Sequence, residues 1–110
     1  MQTIAELPEF IHRSKKLVSN SERKDIVDYI AAHPKAGIIM SGTGGIRKLR
    51  WAREGSGKSN GIRIIYYFHN ENFPLFLLTV FGKNEKSNLS KVELNKLSKL
   101  VRLLIQSYGE

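Results

Sequence analysis

Hydrophobic and polar positions change their period twice along this chain, from helical spacing to alternation and back. Gln2-Thr3-Ile4-Ala5-Glu6 alternates only weakly and predicts a short strand. Pro8 suits the first turn of a helix, where its missing N–H has no partner to lose. A helix over Pro8–Val18 places Phe10, Ile11, Ser14 and Leu17 on one side and Arg13, Lys15 and Lys16 outside. Ser19-Asn20-Ser21-Glu22 has the spacing of a capping box, a hydroxyl followed three residues later by Glu. The helix it opens carries Ile26, Val27, Tyr29 and Ile30 as an apolar stripe and stops near His33-Pro34.

Residues 35–45 form a connection, glycine-rich around Ile38-Ile39-Met40, after which the period becomes two. Ile46–Arg53 reads as a strand with mixed faces, Arg47, Leu49, Trp51 and Arg53 on one and Ile46, Lys48, Arg50 and Ala52 on the other. Gly55–Gly61 is a polar hairpin loop, Ile62–His69 a strand rich in β-branched and aromatic residues, and Phe73–Gly82 the strand after it. A second capping box, Ser90-Lys91-Val92-Glu93, opens a last helix with Leu94, Leu97, Val101 and Leu104 on its stripe. This order predicts an α+β fold: a small, twisted, mainly antiparallel sheet, mixed at its edge, with two N-terminal helices and one C-terminal helix. A length of 110 residues and a hydrophobic content of 41% suit one domain over 1–110.

Composition narrows the function classes. The chain has no cysteine, which excludes a disulfide scaffold, a thiol nucleophile and any thiolate metal site. That absence leaves the redox compartment open and suits a cytoplasmic location. Met1–Phe10 carries Glu6 and Glu9 where a signal peptide would be basic, and no apolar run approaches the length of a membrane span. The net charge of +8 is unevenly spread: residues 41–70 hold Arg47, Lys48, Arg50, Arg53, Lys58 and Arg63 against Glu54 alone. A concentrated basic field attracts a polyanion: nucleic acid, an anionic membrane surface or an acidic protein.

Familiar enzyme signals lose to plainer readings. Gly55-Ser56-Gly57-Lys58-Ser59 ends like a phosphate loop, but it lacks the earlier glycine, position 52 being Ala, and it joins two predicted strands. His12, His33 and His69 have no metal-ligand spacing and read as surface histidines. Glu54, Glu71 and Glu85 are too few and too scattered to suggest a two-metal nuclease. Neither a metal nor another cofactor is expected.

What remains is basic. Lys48 and Arg50, two residues apart, share one face of their strand. Arg63 shares its parity with Ile65 and Tyr67 on the next strand, and Lys83 lies just past the third. If these strands are neighbours, the cations converge where they can grip phosphates, with Tyr67 available to stack on a base or bond to a sugar. The plainer reading is a solvated sheet face. Trp51 belongs rather to the core.

The segments Gly42-Thr43-Gly44-Gly45-Ile46-Arg47-Lys48-Leu49-Arg50, Gly61-Ile62-Arg63-Ile64-Ile65-Tyr66-Tyr67-Phe68 and Leu77–Ser87, in this order and spacing, resemble the RelE/ParE toxin superfamily, closest to its HigB-type branch. The resemblance implies a small bacterial toxin of a type II toxin–antitoxin module. RelE and HigB members cleave messenger RNA on the translating ribosome, whereas ParE members poison DNA gyrase. It implies catalytic roles for Lys48, Arg50, Arg63 and Lys83, and RNA or ribosome contacts for Arg47, Arg53, Lys58, Tyr67 and Lys86. It also implies two partners: a ribosome with mRNA in its A site, and a cognate antitoxin, a helix-turn-helix protein of the HigA type. This chain departs from RelE itself at Asn84, where RelE has a further arginine, and at Ser90, where RelE has a tyrosine.

Overall fold

The computed structural model describes residues 1–52, 61–86 and 88–108. Its elements are β1 (Ile4–Glu6), α1 (Pro8–Leu17), α2 (Asn20–Ala32), β2 (Ile38–Ile39), β3 (Ile46–Trp51), β4 (Ile62–Tyr67), β5 (Leu75–Gly82) and α3 (Lys91–Ser107). The weak alternation at the start is a strand, and the connection over 35–45 contributes a two-residue strand that no sequence period marked. The α+β class and the element order are as the sequence indicates.

Helix starts follow the local chemistry. Pro8 opens α1 with Glu9 in its first turn. Ser19 caps α2, its hydroxyl accepting from the Glu22 N–H at 3.1 Å, and at Ser90 both halves of the capping box form.

One sheet, in the order β1-β5-β4-β3-β2, joins all the strands. β3, β4 and β5 form an antiparallel meander, β2 adds antiparallel to β3, and β1 runs parallel to β5, which makes the sheet mixed at that edge. Beyond β1 the outer edge of β5 is covered by α1 and its approach. The Leu7 N–H donates to the Leu77 carbonyl at 3.1 Å, and Arg13 Nε donates to the Val80 carbonyl at 2.6 Å.

Helices lie on both faces of the sheet, which explains why β4 and β5 read as nearly unbroken apolar runs: every residue of both is buried. On one face Phe10 of α1 and Ile26 and Ile30 of α2 pack with Ile62, Ile64, Tyr66, Leu75, Leu77 and Val80. On the other, Val101 of α3 packs with Ile46, Ile65, Tyr67, Phe76, Leu78 and Phe81, flanked by Leu97, Leu100, Leu104 and Ile105. Trp51 lies partly buried against the first cluster.

An irregularity in β5 controls which residues reach the α3 face. The register runs Ile65 opposite Thr79, then Tyr66 opposite Leu77, so Leu78 is an extra residue in the ladder. Leu78 packs in the α3-side cluster while Thr79 lines a cleft with Phe81 and Leu97 on that same side. The bulge reverses the alternation of β5, turning Phe81 toward α3 and Val80 toward α1 and α2.

Tyr66 ties the sheet to the segment after α2. Its buried hydroxyl accepts from the Gly37 N–H at 2.7 Å and donates to the Pro34 carbonyl at 2.9 Å. Burial pushes this phenol above its usual pKa, against the opposing Gly37 N–H and the charge of Arg47. Gly37 leaves no room for a side chain, since a Cβ there would lie 2.8 Å from the Tyr66 ring. Tyr66→Phe leaves the buried Gly37 N–H without its acceptor and is expected to cost about 1–3 kcal/mol in urea unfolding. An unchanged midpoint would show that the hydroxyl is not a strut.

Candidate nucleic-acid interface

The register fixes the cationic group. Arg50 of β3 stands directly opposite Arg63 of β4, and Arg63 directly opposite Phe81 of β5. Lys48 is two residues from Arg50 on the same face, opposite Ile65. Side chains at such diagonal positions lie roughly 7–8 Å apart, within reach of long cationic groups. Lys48, Arg50 and Arg63 therefore gather at one end of the face that α3 covers.

Arg63 is only 9% exposed, and one of its terminal nitrogens donates to the Ile62 carbonyl at 3.3 Å. Like charges directly opposite on neighbouring strands destabilise a sheet. The ion pairs among the described residues, Arg13–Glu85, Arg23–Glu6, Lys24–Asp28 and Lys86–Glu93, engage none of Lys48, Arg50 and Arg63. An arginine pair that none of these ion pairs neutralises, with a neighbouring lysine, is suited to a bound phosphate, whose oxygens two guanidinium groups can share.

The segment that enters α3 closes one side of the group. Lys48 Nζ donates to Asn88 Oδ1 at 2.8 Å, which draws that segment onto β3 and brings the N-terminus of α3, its positive end, toward the cations. Lys83 stands one residue past β5, exposed, its N–H continuing the ladder to the Gly61 carbonyl at 2.9 Å. Lys86 turns inward: its ammonium lies 5.4 Å from the centre of the Phe81 ring and 2.6 Å from Glu93 Oε2. That contact and the Ser90 N–H hold the Glu93 carboxyl down at about 2. Glu85 is likewise held below the usual carboxylate range, first by the Gly82 N–H and then by Arg13.

Two of the residues expected to touch RNA sit elsewhere. Arg47, adjacent to Lys48 in sequence, projects to the opposite face, where its guanidinium donates to the Gly37 carbonyl at 2.8 Å and the Lys35 carbonyl at 3.3 Å. Tyr67 shares the face of Arg63 but lies four residues along β4, about 13 Å away at strand spacing. It is buried beneath α3, with its hydroxyl 2.9 Å from His69 Nδ1, and burial raises its pKa. Arg53 and Lys58 fall outside the described residues. Asn88, Phe81 and Thr79 belong to the surroundings of the site; Thr79 and Phe81 fall within the Leu77–Ser87 segment but carry no charge, and Asn88 lies outside every motif.

His12, His33 and His69 are all exposed, and no group of three His, Asp or Glu that could hold a metal occurs among the described residues. No described helix is long and apolar enough to cross a membrane.

Because the Arg50–Arg63 pair is uncompensated by the described residues, Arg50→Gln is expected to raise thermal stability at low salt, by up to about 1 kcal/mol, and to lower phosphate affinity. The stability gain shrinks as salt screens the repulsion. Melting curves at two ionic strengths check this; a loss of stability would mean that Arg50 is held by an internal partner.

A comparison with protein families places the arrangement. Residues 12–109 match the family described as the RelE toxin of the RelE/RelB toxin–antitoxin system, a match that runs from within α1 through α3 with Lys48, Arg50, Arg63 and Lys83 inside it. The chain belongs to the RelE toxin family, within the RelE/ParE superfamily, and is the toxin component of a toxin–antitoxin module with a cognate antitoxin as partner.

Proposed function

We propose that this toxin is a ribosome-dependent mRNA endonuclease of the HigB-type branch, acting in the cytoplasm and inhibiting translation. The observation that carries the reading is the Arg50–Arg63 pair with Lys48 beside it, unpaired by any carboxylate among the described residues. Nuclease activity is general in the family matched, and a cationic face of this kind supports the reading.

Cleavage without a metal proceeds by attack of a 2′-oxygen on the adjacent phosphorus. The new O–P bond forms as the bond to the 5′-oxygen breaks, leaving a 2′,3′-cyclic phosphate and a 5′-hydroxyl. The 2′-hydroxyl gives up a proton, the leaving oxygen takes one, and negative charge grows on the phosphorane oxygens. Arg63, nearly buried and held on the central strand, is suited to bind those oxygens as the charge develops. Arg50 positions the phosphate from the other side and assists, through water, the protonation of the leaving 5′-oxygen. Lys48 and Lys83 are the candidates for the 2′-hydroxyl proton, a task that requires an ammonium whose pKa is lowered by neighbouring cations once RNA excludes water.

Lys48 and Arg50 lie near the outer side of the sheet, where, among the described residues, only the two residues of β2 flank β3. An open face of this kind binds phosphates without fixing the in-line geometry of attack, so a ribosome that holds the message in place contributes the missing orientation. The antitoxin, of the helix-turn-helix HigA type, then blocks either the cationic face or access to the ribosome.

Inducible expression in bacteria, with primer extension on abundant transcripts and a translation-blocked control, tests the reading. Cuts inside coding regions that vanish when translation is blocked are expected, and Arg63→Gln should reduce them by about 100-fold or more while leaving the protein folded. Growth arrest with intact transcripts would transfer the activity to gyrase, and a fully active Arg63→Gln variant would remove the site.

A further inference from the structure

We propose that the cleft between α1, β5 and α3 is a base pocket, which seats one unstacked nucleobase beside the phosphate held at Arg63 and selects bases that carry an amino group. The proposal rests on the reading of the cationic face as an RNA-cleaving site and adds to it the origin of its sequence preference.

The cleft has a volume of about 420 Å³, within the range of small-molecule sites. It adjoins the cationic group by a single ladder step, because Phe81, which lines it, is the register partner of Arg63. Phe81, Leu89 and Leu97 give it an apolar lining, the setting in which a base withdrawn from its stack is buried. The bulge at Leu78 turns Thr79 into the same cleft, where its hydroxyl, on a residue 4% exposed, can both donate to and accept from a base edge.

The charged groups around it divide into two kinds. Arg13 and Lys86 are committed, to Glu85 at 2.5 Å and Glu93 at 2.6 Å. Glu9 lines the cleft from the first turn of α1, with its side chain exposed, and no ion pair among the described residues engages it. A carboxylate only accepts hydrogen bonds, so it matches an amino group, as on cytosine, adenine or guanine; uracil has none, and its one Watson–Crick-edge donor, N3–H, is flanked by two carbonyl oxygens that repel a carboxylate. Lys96, on the α3 side of the cleft, supplies a cation for the neighbouring phosphate.

The test uses purified toxin with ribosomes programmed by messages that differ only in the A-site codon, and compares wild type, Glu9→Gln, Thr79→Val and Leu97→Trp. Wild type is expected to disfavour uracil at one codon position by about tenfold. Glu9→Gln, whose amide both donates and accepts, should reduce that discrimination to within about threefold, Thr79→Val should shift it, and Leu97→Trp, which fills the cleft, should slow cleavage at every codon. A wild-type preference that survives in all three variants overturns the pocket and leaves the nuclease standing. A readout free of turnover separates the two ideas: on adding a short 2′-O-methyl RNA, the methyl resonances of Leu89 and Leu97 should move. Movement there, together with no cleavage of any message in the ribosome assay, would keep the pocket and remove the nuclease, and shifts confined to β3 would remove the pocket alone.

Discussion

Two arginines placed directly opposite one another on adjacent strands repel, and the surroundings of this pair are arranged around that constraint. Arg63 lies on the central strand, covered on both faces by helices, so its guanidinium is nearly buried while its neighbours Arg50 and Lys48 remain more open. The described carboxylates on the approach to α3 are occupied elsewhere: Glu85 with Arg13, and Glu93 with Lys86 and its own helix cap. Positive charge thus accumulates where a phosphate can discharge it. On the proposed reading, a sheet that gives up some stability in this way gains a phosphate site formed before the ligand arrives.

The two packing layers have different tasks. Phe10, Ile26 and Ile30 fix the sheet from one side and have no part in the chemistry. The α3 layer is both core and site: Val101 and Leu97 pack on the sheet, while the segment before the helix carries Asn88 onto Lys48 and Lys86 over Phe81. Coupling of this kind makes the approach to α3 the natural place for a partner to influence the cationic face without touching Arg63.

Much of this was legible in the sequence, for identifiable reasons. The helices declare themselves through Pro8, Ser19 with Glu22, and Ser90 with Glu93, because capping chemistry is local. The strand over Ile46–Trp51 shows its two faces because its period is intact, and the shared face of Lys48 and Arg50 follows directly. Other features depend on contacts remote in the chain. Alternation puts Arg47 and Lys48 on opposite faces, but only the packing of residues 35–37 makes Arg47 a structural strut. Tyr67 has the right parity for the site and lies at the wrong end of the strand. The bulge at Leu78 breaks the alternation of β5, so no count of odd and even positions could place Leu78 and Phe81 on one face. Lys86 reads as a free cation until the fold brings Glu93 to it.

The central claim is that Lys48, Arg50 and Arg63 act together as a phosphate grip. It is tested most directly by measuring how the affinity for a non-cleavable single-stranded RNA depends on salt. Each phosphate contact contributes a slope of about −0.7 in the plot of log affinity against log salt. Replacing Arg63 by Gln is expected to weaken binding and to make the slope shallower by about that amount, while the same change at Arg47 on the opposite face leaves both unaltered. Equal losses from the two substitutions, or none from either, would contradict the account.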